Sequence, residues 1–187
     1  METFLKQINS IHPVSPQSKS ALLSICKEVS FKKHTDVQPI GHTCKTIYFV
    51  KEGLVRIYYF KEANDITESF EFENAFVARA ESLFTGKPSR KAIQAVEDTV
   101  LIAIDSNGLF KLFDTYPDLE RLFRKIIETS YVNTVNRLES LQFNTADERY
   151  NNLIKDHPNV LKRVPLKFIA SYLGITQVSL SRIRAQQ

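Results

Sequence analysis

The spacing of apolar positions changes character twice along this chain. Near the N-terminus they fall at Leu5, Ile8 and Ile11, then at Leu22, Leu23, Ile25, Cys26 and Val29, with Pro13 and Pro16 between. Proline cannot donate a backbone hydrogen bond and breaks a helix interior, so this pattern predicts two short helices about a proline turn. From 31 to 105 the periodicity shortens. Residues 46–50 (TIYFV) and 54–60 (LVRIYYF) are β-branched and aromatic runs on either side of Lys51-Glu52-Gly53, which predicts a hairpin turning at Gly53. In 66–72, Ile66, Glu68, Phe70 and Phe72 alternate with Thr67, Ser69 and Glu71, and 93–104 (IQAVEDTVLIAI) reads as two strands about Glu97-Asp98. Short strands at regular intervals predict a small β-barrel or jelly roll.

Helical spacing returns after 106. A short helix is expected over 107–115 and a long one from Pro117-Asp118, where proline suits a first turn. Its apolar positions are Leu119, Leu122, Phe123, Ile126, Ile127, Tyr131, Val135, Leu138 and Leu141. Steps of three and four sustained to 143 form a wide stripe, one part for the barrel and one for a second copy of the chain. A boundary is expected at 143–146, with Asn144 or Thr145 capping a helix over 146–155, and a short helix or turn over 160–164.

The most informative segment is 166–184, LKFIASYLGITQVSLSRIR. Ile169, Ala170 and Leu173 share one face of a short helix; Gly174 permits a sharp turn; Ile175 fills the corner; Thr176 stands at an N-cap position; Leu180 and Ile183 face inward on a second helix. These offsets are those of a helix-turn-helix, which lays its second helix in the DNA major groove. In that arrangement Gln177, Val178 and Arg182 meet base edges, whereas Lys167, Thr176, Ser179 and Arg184 are placed for phosphates.

Charge sharpens this expectation. The 187 residues carry a formal net charge of +4, and residues 1–145 are balanced at 18 basic and 18 acidic. The excess therefore lies wholly in the last 42 residues, and from His157 onward there are five bases and no acid. A basic end on a neutral body suits a polyanion such as double-stranded DNA. The composition, 43% hydrophobic and 25% charged, is that of a globular chain. No apolar run is long enough to span a membrane and no export signal is visible, so the cytoplasm is expected. Two cysteines and four scattered histidines give metal chemistry no footing, and no nucleophile–base or paired-carboxylate arrangement suggests an enzyme.

A β-barrel, a long helix and a helix-turn-helix in that order resemble the Crp/Fnr family of bacterial transcription regulators. The likeness rests on KEGLVRIYY at 51–59, ENAFVARAESLFTGKPSRKAIQAVEDTVL at 73–101, and the segment 166–184. It implies an α+β fold: a cyclic-nucleotide-binding-like barrel with N-terminal helices (1–116), a dimerisation helix (117–143) and a helical DNA-binding domain (144–187). It also implies a homodimer, an effector held by the barrel and contact with RNA polymerase. Cyclic-nucleotide members carry Gly-Glu and Arg-(Ser/Thr)-Ala about the phosphate, but an ungapped alignment places Ala78-Arg79 and Ser89-Arg90-Lys91 there. The pocket is thus expected to be effector-free or to take an effector other than cyclic AMP, with Arg79, Glu81, Ser89 and Arg90 as candidate contacts and no cofactor. The chain's end at Gln187 and the composition of 160–165 suggest a DNA-binding domain without its usual strands. A sensor of cyclic nucleotides or small anions that acts through protein contacts is the alternative.

Overall fold

The computed structural model describes residues 1–185. The chain opens with α1 (Glu2–Ile11) and α2 (Pro16–Ser24). The Ser15 hydroxyl accepts the Ser18 N–H at 3.1 Å and so caps α2, and Pro16 occupies its first turn. Eight strands follow: β1 (Cys26–Phe31), β2 (Asp36–Gln38), β3 (Thr46–Glu52), β4 (Val55–Lys61), β5 (Asn64–Glu71), β6 (Phe76–Val77), β7 (Ala92–Ala95) and β8 (Thr99–Asp105), with α3 (Ala80–Thr85) between β6 and β7. They form two four-stranded sheets, ordered β1-β8-β3-β6 and β2-β7-β4-β5, in which every neighbouring pair is antiparallel.

The hairpin expected at Gly53 is not one. β3 pairs with β6 and β8 in the first sheet, and β4 pairs with β5 and β7 in the second. The turn instead carries the chain from one sheet to the other. Gly53 sits at φ 92, and a Cβ there would lie 2.6 Å from Thr99 Oγ1 and 2.7 Å from the Asp98 carbonyl oxygen. Local residue preferences report a turn, but not which strand each arm will pair with. The true hairpin is β4–β5, closed by Glu62 and Ala63 at φ 51 and 66.

Three apolar clusters hold these layers. Between the sheets lie Val37, Val50, Val55, Ile57, Val77, Ile93 and Leu101. On the far side of the first sheet, Phe49, Ile102 and Ile104 meet Phe4 and Ile8 of α1, Leu22 of α2, Leu109 of α4 (Ser106–Phe113) and Leu119, Leu122 and Phe123 of α5 (Pro117–Phe143). Each such side chain contributes roughly 1.5–3 kcal/mol through burial. Only these opening turns of α5 are buried; Ile127, Tyr131, Val132, Leu138, Leu141 and Phe143 further along are exposed.

The third cluster joins the remaining helices to the second sheet: α6 (Ala146–Asp156), α7 (Val160–Arg163), α8 (Leu166–Leu173) and α9 (Gln177–Ala185). Tyr150, Leu153, Val160, Phe168, Ile169, Leu173, Leu180 and Ile183 are buried together with Leu54 and Val96 of the strand region. Thr145 starts α6 with a reciprocal cap: its hydroxyl accepts the Glu148 N–H, and the Glu148 carboxylate accepts the Thr145 N–H at 2.7 Å. Residues 160–163 are helical, and the expectation that no strands follow α9 concerns Gln186-Gln187, outside the described residues.

Gly53→Ala is expected to lower stability by about 2–4 kcal/mol, combining the positive φ with a backbone clash. Urea unfolding measures it; an unchanged midpoint would contradict the close approach of β3–β4 to Thr99.

Candidate functional site

Two regions carry the residues singled out by the sequence. In the first, α8 ends at Gly174, whose φ of 71 and ψ of 30 are left-handed. The Ile175 N–H reaches back to the Ala170 carbonyl at 3.0 Å, closing the turn. Thr176 then caps α9, its hydroxyl accepting the Ser179 N–H at 3.1 Å. Leu180 and Ile183 point into the third cluster. Gln177, Val178, Arg182 and Arg184 stand exposed, as does Lys167 on α8. The structure thus brings the candidate base readers onto one outward side of α9. The hydroxyls of Thr176 and Ser179 are 3.0 Å apart and hydrogen-bonded to each other, so both serve the cap.

The helix pair is seated on the second sheet. The Ser171 hydroxyl accepts the Thr67 N–H at 3.1 Å, and Phe70 and Tyr172 pack with ring centres 5.2 Å apart. Arg163 donates to Glu73 at 2.6 Å and to Glu97 at 2.5 Å, two carboxylates on barrel turns that hold its charge even more firmly than usual. His157 stacks on Phe72 at 3.8 Å, and burial lowers its pKa. Arg163 is therefore committed to the barrel. The bases left exposed on the C-terminal helices from 157 onward are Lys162, Lys167, Arg182 and Arg184.

The second region is a cavity of about 510 Å³ between β5, the β6–α3 connection and α5. Its lining includes Glu68, Ser69, Glu71, Arg79, Glu81, Asn133 and Arg137. Arg79 is only 8% exposed and its Nε has no hydrogen-bond partner. Burial pushes the Glu71 carboxyl up to about 7; the Ser69 hydroxyl, donating to it at 2.8 Å, opposes that rise. Glu68 is ion-paired with Lys91. Arg137 lies 3.9 Å over the Tyr172 ring and donates to the Tyr172 carbonyl.

Of the four candidate effector contacts, Arg79 and exposed Glu81 line this cavity. Ser89 and Arg90 do not: the Ser89 hydroxyl donates to the Lys91 carbonyl at 2.7 Å and accepts the Lys91 N–H at 3.1 Å, and Arg90 is exposed. Ser69, Glu71 and Arg137 were missed by sequence reasoning. Two signals were available: Ser69 and Glu71 share one side of an alternating strand, and Arg137 interrupts an apolar stripe.

Residues 28–116 match the family model of the cyclic nucleotide-binding domain. No curated protein matches the chain significantly. Among solved structures, FixK2 from Bradyrhizobium japonicum superposes with a TM-score of 0.75 at 19% identity, covering 87% of this chain and 84% of its own. The c-di-GMP-responsive global regulator CLP of Xanthomonas campestris gives 0.70 at 17% identity, covering 92% and 91%. A protein from Eubacterium rectale described as a transcriptional regulator of the crp/fnr family gives 0.73 at 16% identity, covering 92% and 83%. The chain has the Crp/Fnr fold. The matched segment holds α3 and both sheets apart from the first two residues of β1, so the cavity lies where this Crp/Fnr-type barrel meets α5. Among the described residues no helix is long and apolar enough to cross a membrane.

Glu71 imposes a pH dependence. Its pKa is higher in the folded chain than the ordinary 4.5, so folding binds a proton between those values. The stability cost is absent below about 4.5, grows as pH rises, and is complete above about 7. Glu71→Gln is expected to be more stable than the parent by about 1–2 kcal/mol near pH 8 and no more stable near pH 4. Chemical unfolding at both values checks it.

Proposed function

We propose that the chain is a dimeric transcription regulator that reads double-stranded DNA with α9 and senses an effector in the barrel cavity. Its cyclic-nucleotide motif is degenerate at Ala78-Arg79. The observation that carries this reading is the outward side of α9. Gln177, Val178 and Arg182 are exposed there, on a helix whose opposite side is anchored by Leu180 and Ile183. Such a helix enters a major groove with its N-terminal residues at base edges. Arginine is suited to guanine, glutamine to adenine and a valine methyl to thymine. Lys167 and Arg184 suit phosphates. Regulators of this kind act in the cytoplasm beside RNA polymerase, and the three neighbours are consistent with a regulatory rather than enzymatic role.

The dimer reading is supported by α5. From Ile127, steps of four, three, four and three residues reach Tyr131, Thr134, Leu138 and Leu141, all exposed. That alternation is the seam of a two-stranded coiled coil. An apolar groove lined by Phe113, Phe123, Ile127 and Tyr131 continues it toward the barrel. A second copy of α5 buries this stripe and places two copies of α9 for two half-sites.

Two measurements test the reading. Arg182→Ala is expected to weaken binding to the DNA upstream of the chain's own reading frame by about 1–3 kcal/mol in a gel-shift titration. Equal affinity for parent and variant, or no shift by the parent, would remove the assignment. Leu138→Glu, placing like charges in the seam, is expected to sediment as a monomer and to lose most DNA affinity. A parent chain already monomeric would refute the dimer.

A further inference from the structure

Buried guanidinium nitrogens normally have partners, and each exception needs a reason. Arg79 Nε and Arg137 Nε are both buried and unpartnered, and both side chains line the same cavity. They come from different elements: Arg79 immediately precedes α3, and Arg137 lies in the sixth turn of α5, beyond its buried start. Of the three carboxylates lining the cavity, Glu81 is exposed to solvent and the other two are partly engaged elsewhere. Glu68 is paired with Lys91, while burial holds the Glu71 proton to about 7 against the opposing pull of Arg79. Two cations with open donors, in about 510 Å³ of space, make a receptor for an anion. Ser69 and Glu71 on the facing strand offer hydroxyl and carboxyl groups to a hydrogen-bond donor on the same ligand.

Arg137 has a second attachment. It stacks on the Tyr172 ring at 3.9 Å and donates to the Tyr172 carbonyl, in the last turn of α8 and two residues before Gly174. A ligand oxygen competing for the same guanidinium alters a contact made directly with the helix pair. Such a change biases α8 only through a difference in contact energy between the two states, and a shared arginine supplies one.

We propose that the cavity binds a small organic anion bearing a hydroxyl or amino donor, anchored by Arg79, and that Arg137 relays its arrival to the end of α8. The proposal rests on the effector reading above but adds the ligand's chemistry and the relaying residue. Arg79 is the binding residue; Arg137 acts on the helix pair through Tyr172.

Isothermal titration calorimetry of the full chain with malate, glycerol 3-phosphate, inorganic phosphate and cyclic AMP tests the first half. At least one of the three small anions is expected to bind saturably with Kd below about 1 mM. Arg79→Gln is expected to weaken it at least tenfold, and Lys87→Gln, on the exposed loop beyond the cavity, to leave it unchanged. Arg79→Lys, which retains charge, restores part of the affinity and carries the test if Arg79→Gln does not fold. Absence of binding, tighter binding of cyclic AMP than of any small anion, or binding indifferent to Arg79→Gln overturns the anion site.

Amide hydrogen exchange tests the relay. The bound anion is expected to change exchange over 172–175 in the parent chain but not in Arg137→Gln at saturating ligand. A change of equal size in both chains, or none in the parent, overturns the relay. Neither readout uses DNA, so a failed gel shift with intact anion binding removes the regulator reading alone.

Discussion

A buried arginine on the outer side of the second sheet makes a docking platform out of what would otherwise be a solvated surface. Arg56 on β4 is 1% exposed. Its Nη1 and Nη2 donate to the two Asp65 carboxylate oxygens at 2.5 and 2.7 Å. Thr67 Oγ1 accepts from Nη1 at 3.0 Å, and Gln94 Oε1 accepts from Nε at 3.0 Å and Nη2 at 2.9 Å. The two planar sides are covered by Tyr58, 4.2 Å away, and Phe168 of α8, 3.5 Å away. Removing a guanidinium from water is costly, and only a fully satisfied set of partners offsets it. All three partners with side-chain acceptors lie on the second sheet. α8 supplies an aromatic lid, so Phe168 must sit over one place on the sheet and nowhere else. A plain apolar contact would tolerate sliding; a stacked cation does not.

Once α8 is fixed, the neighbouring contacts follow from geometry. Ser171 falls opposite the Thr67 amide, Tyr172 beside Phe70, and Arg163 between Glu73 and Glu97. β5 thereby does two things at once. Phe70 faces the helix pair, and Ser69 and Glu71 line the cavity. The cavity wall and the seat of α8 are adjacent residues of one strand. No long chain of intermediaries is needed to connect them, and Arg137 spans the remaining gap from α5.

Most helical elements and the turn at Gly174 were legible in the sequence because their signals are local. The exception is the end of the second helix, which stops at Ser24, while Cys26 and Val29, expected on it, lie in β1 paired with β8. Pro16 and Pro117 at helix starts, Thr145 and Thr176 at caps, and the spacing of Ile169, Leu173, Leu180 and Ile183 each depend on residues within a few positions. Sheet pairing was not legible. The Gly53 turn looks like a hairpin because it lies between two strands of suitable composition, but its geometry is decided by Thr99 and Asp98, more than 40 residues away. The positive-φ turn that does close a hairpin uses Glu62 and Ala63, which carry no such preference. The cavity was half legible for the same reason. Arg79 stood out as a departure from a motif, whereas Arg137 becomes a lining residue only when α5 lies against β5.

Charge illustrates how a sequence signal divides once the chain is folded. The basic excess after His157 suggested a single polyanion surface, yet Arg163 is bound to Glu73 and Glu97 and serves attachment. Lys162, Lys167, Arg182 and Arg184 remain exposed. On the proposed DNA-binding reading, a contact made by so few cations releases few counterions, and affinity rests less on salt and more on base contacts and on a second copy. That shifts the burden onto α5. Its opening turns are buried against the first sheet, its exposed apolar stripe is the proposed seam, and Arg137 on the same helix touches both the cavity and Tyr172. Any small rotation of this helix changes the seam, the cavity and the seat of α8 together. On the reading proposed above, a modest basic surface and a shared helix together require that both subunits hold α9 in register for tight binding.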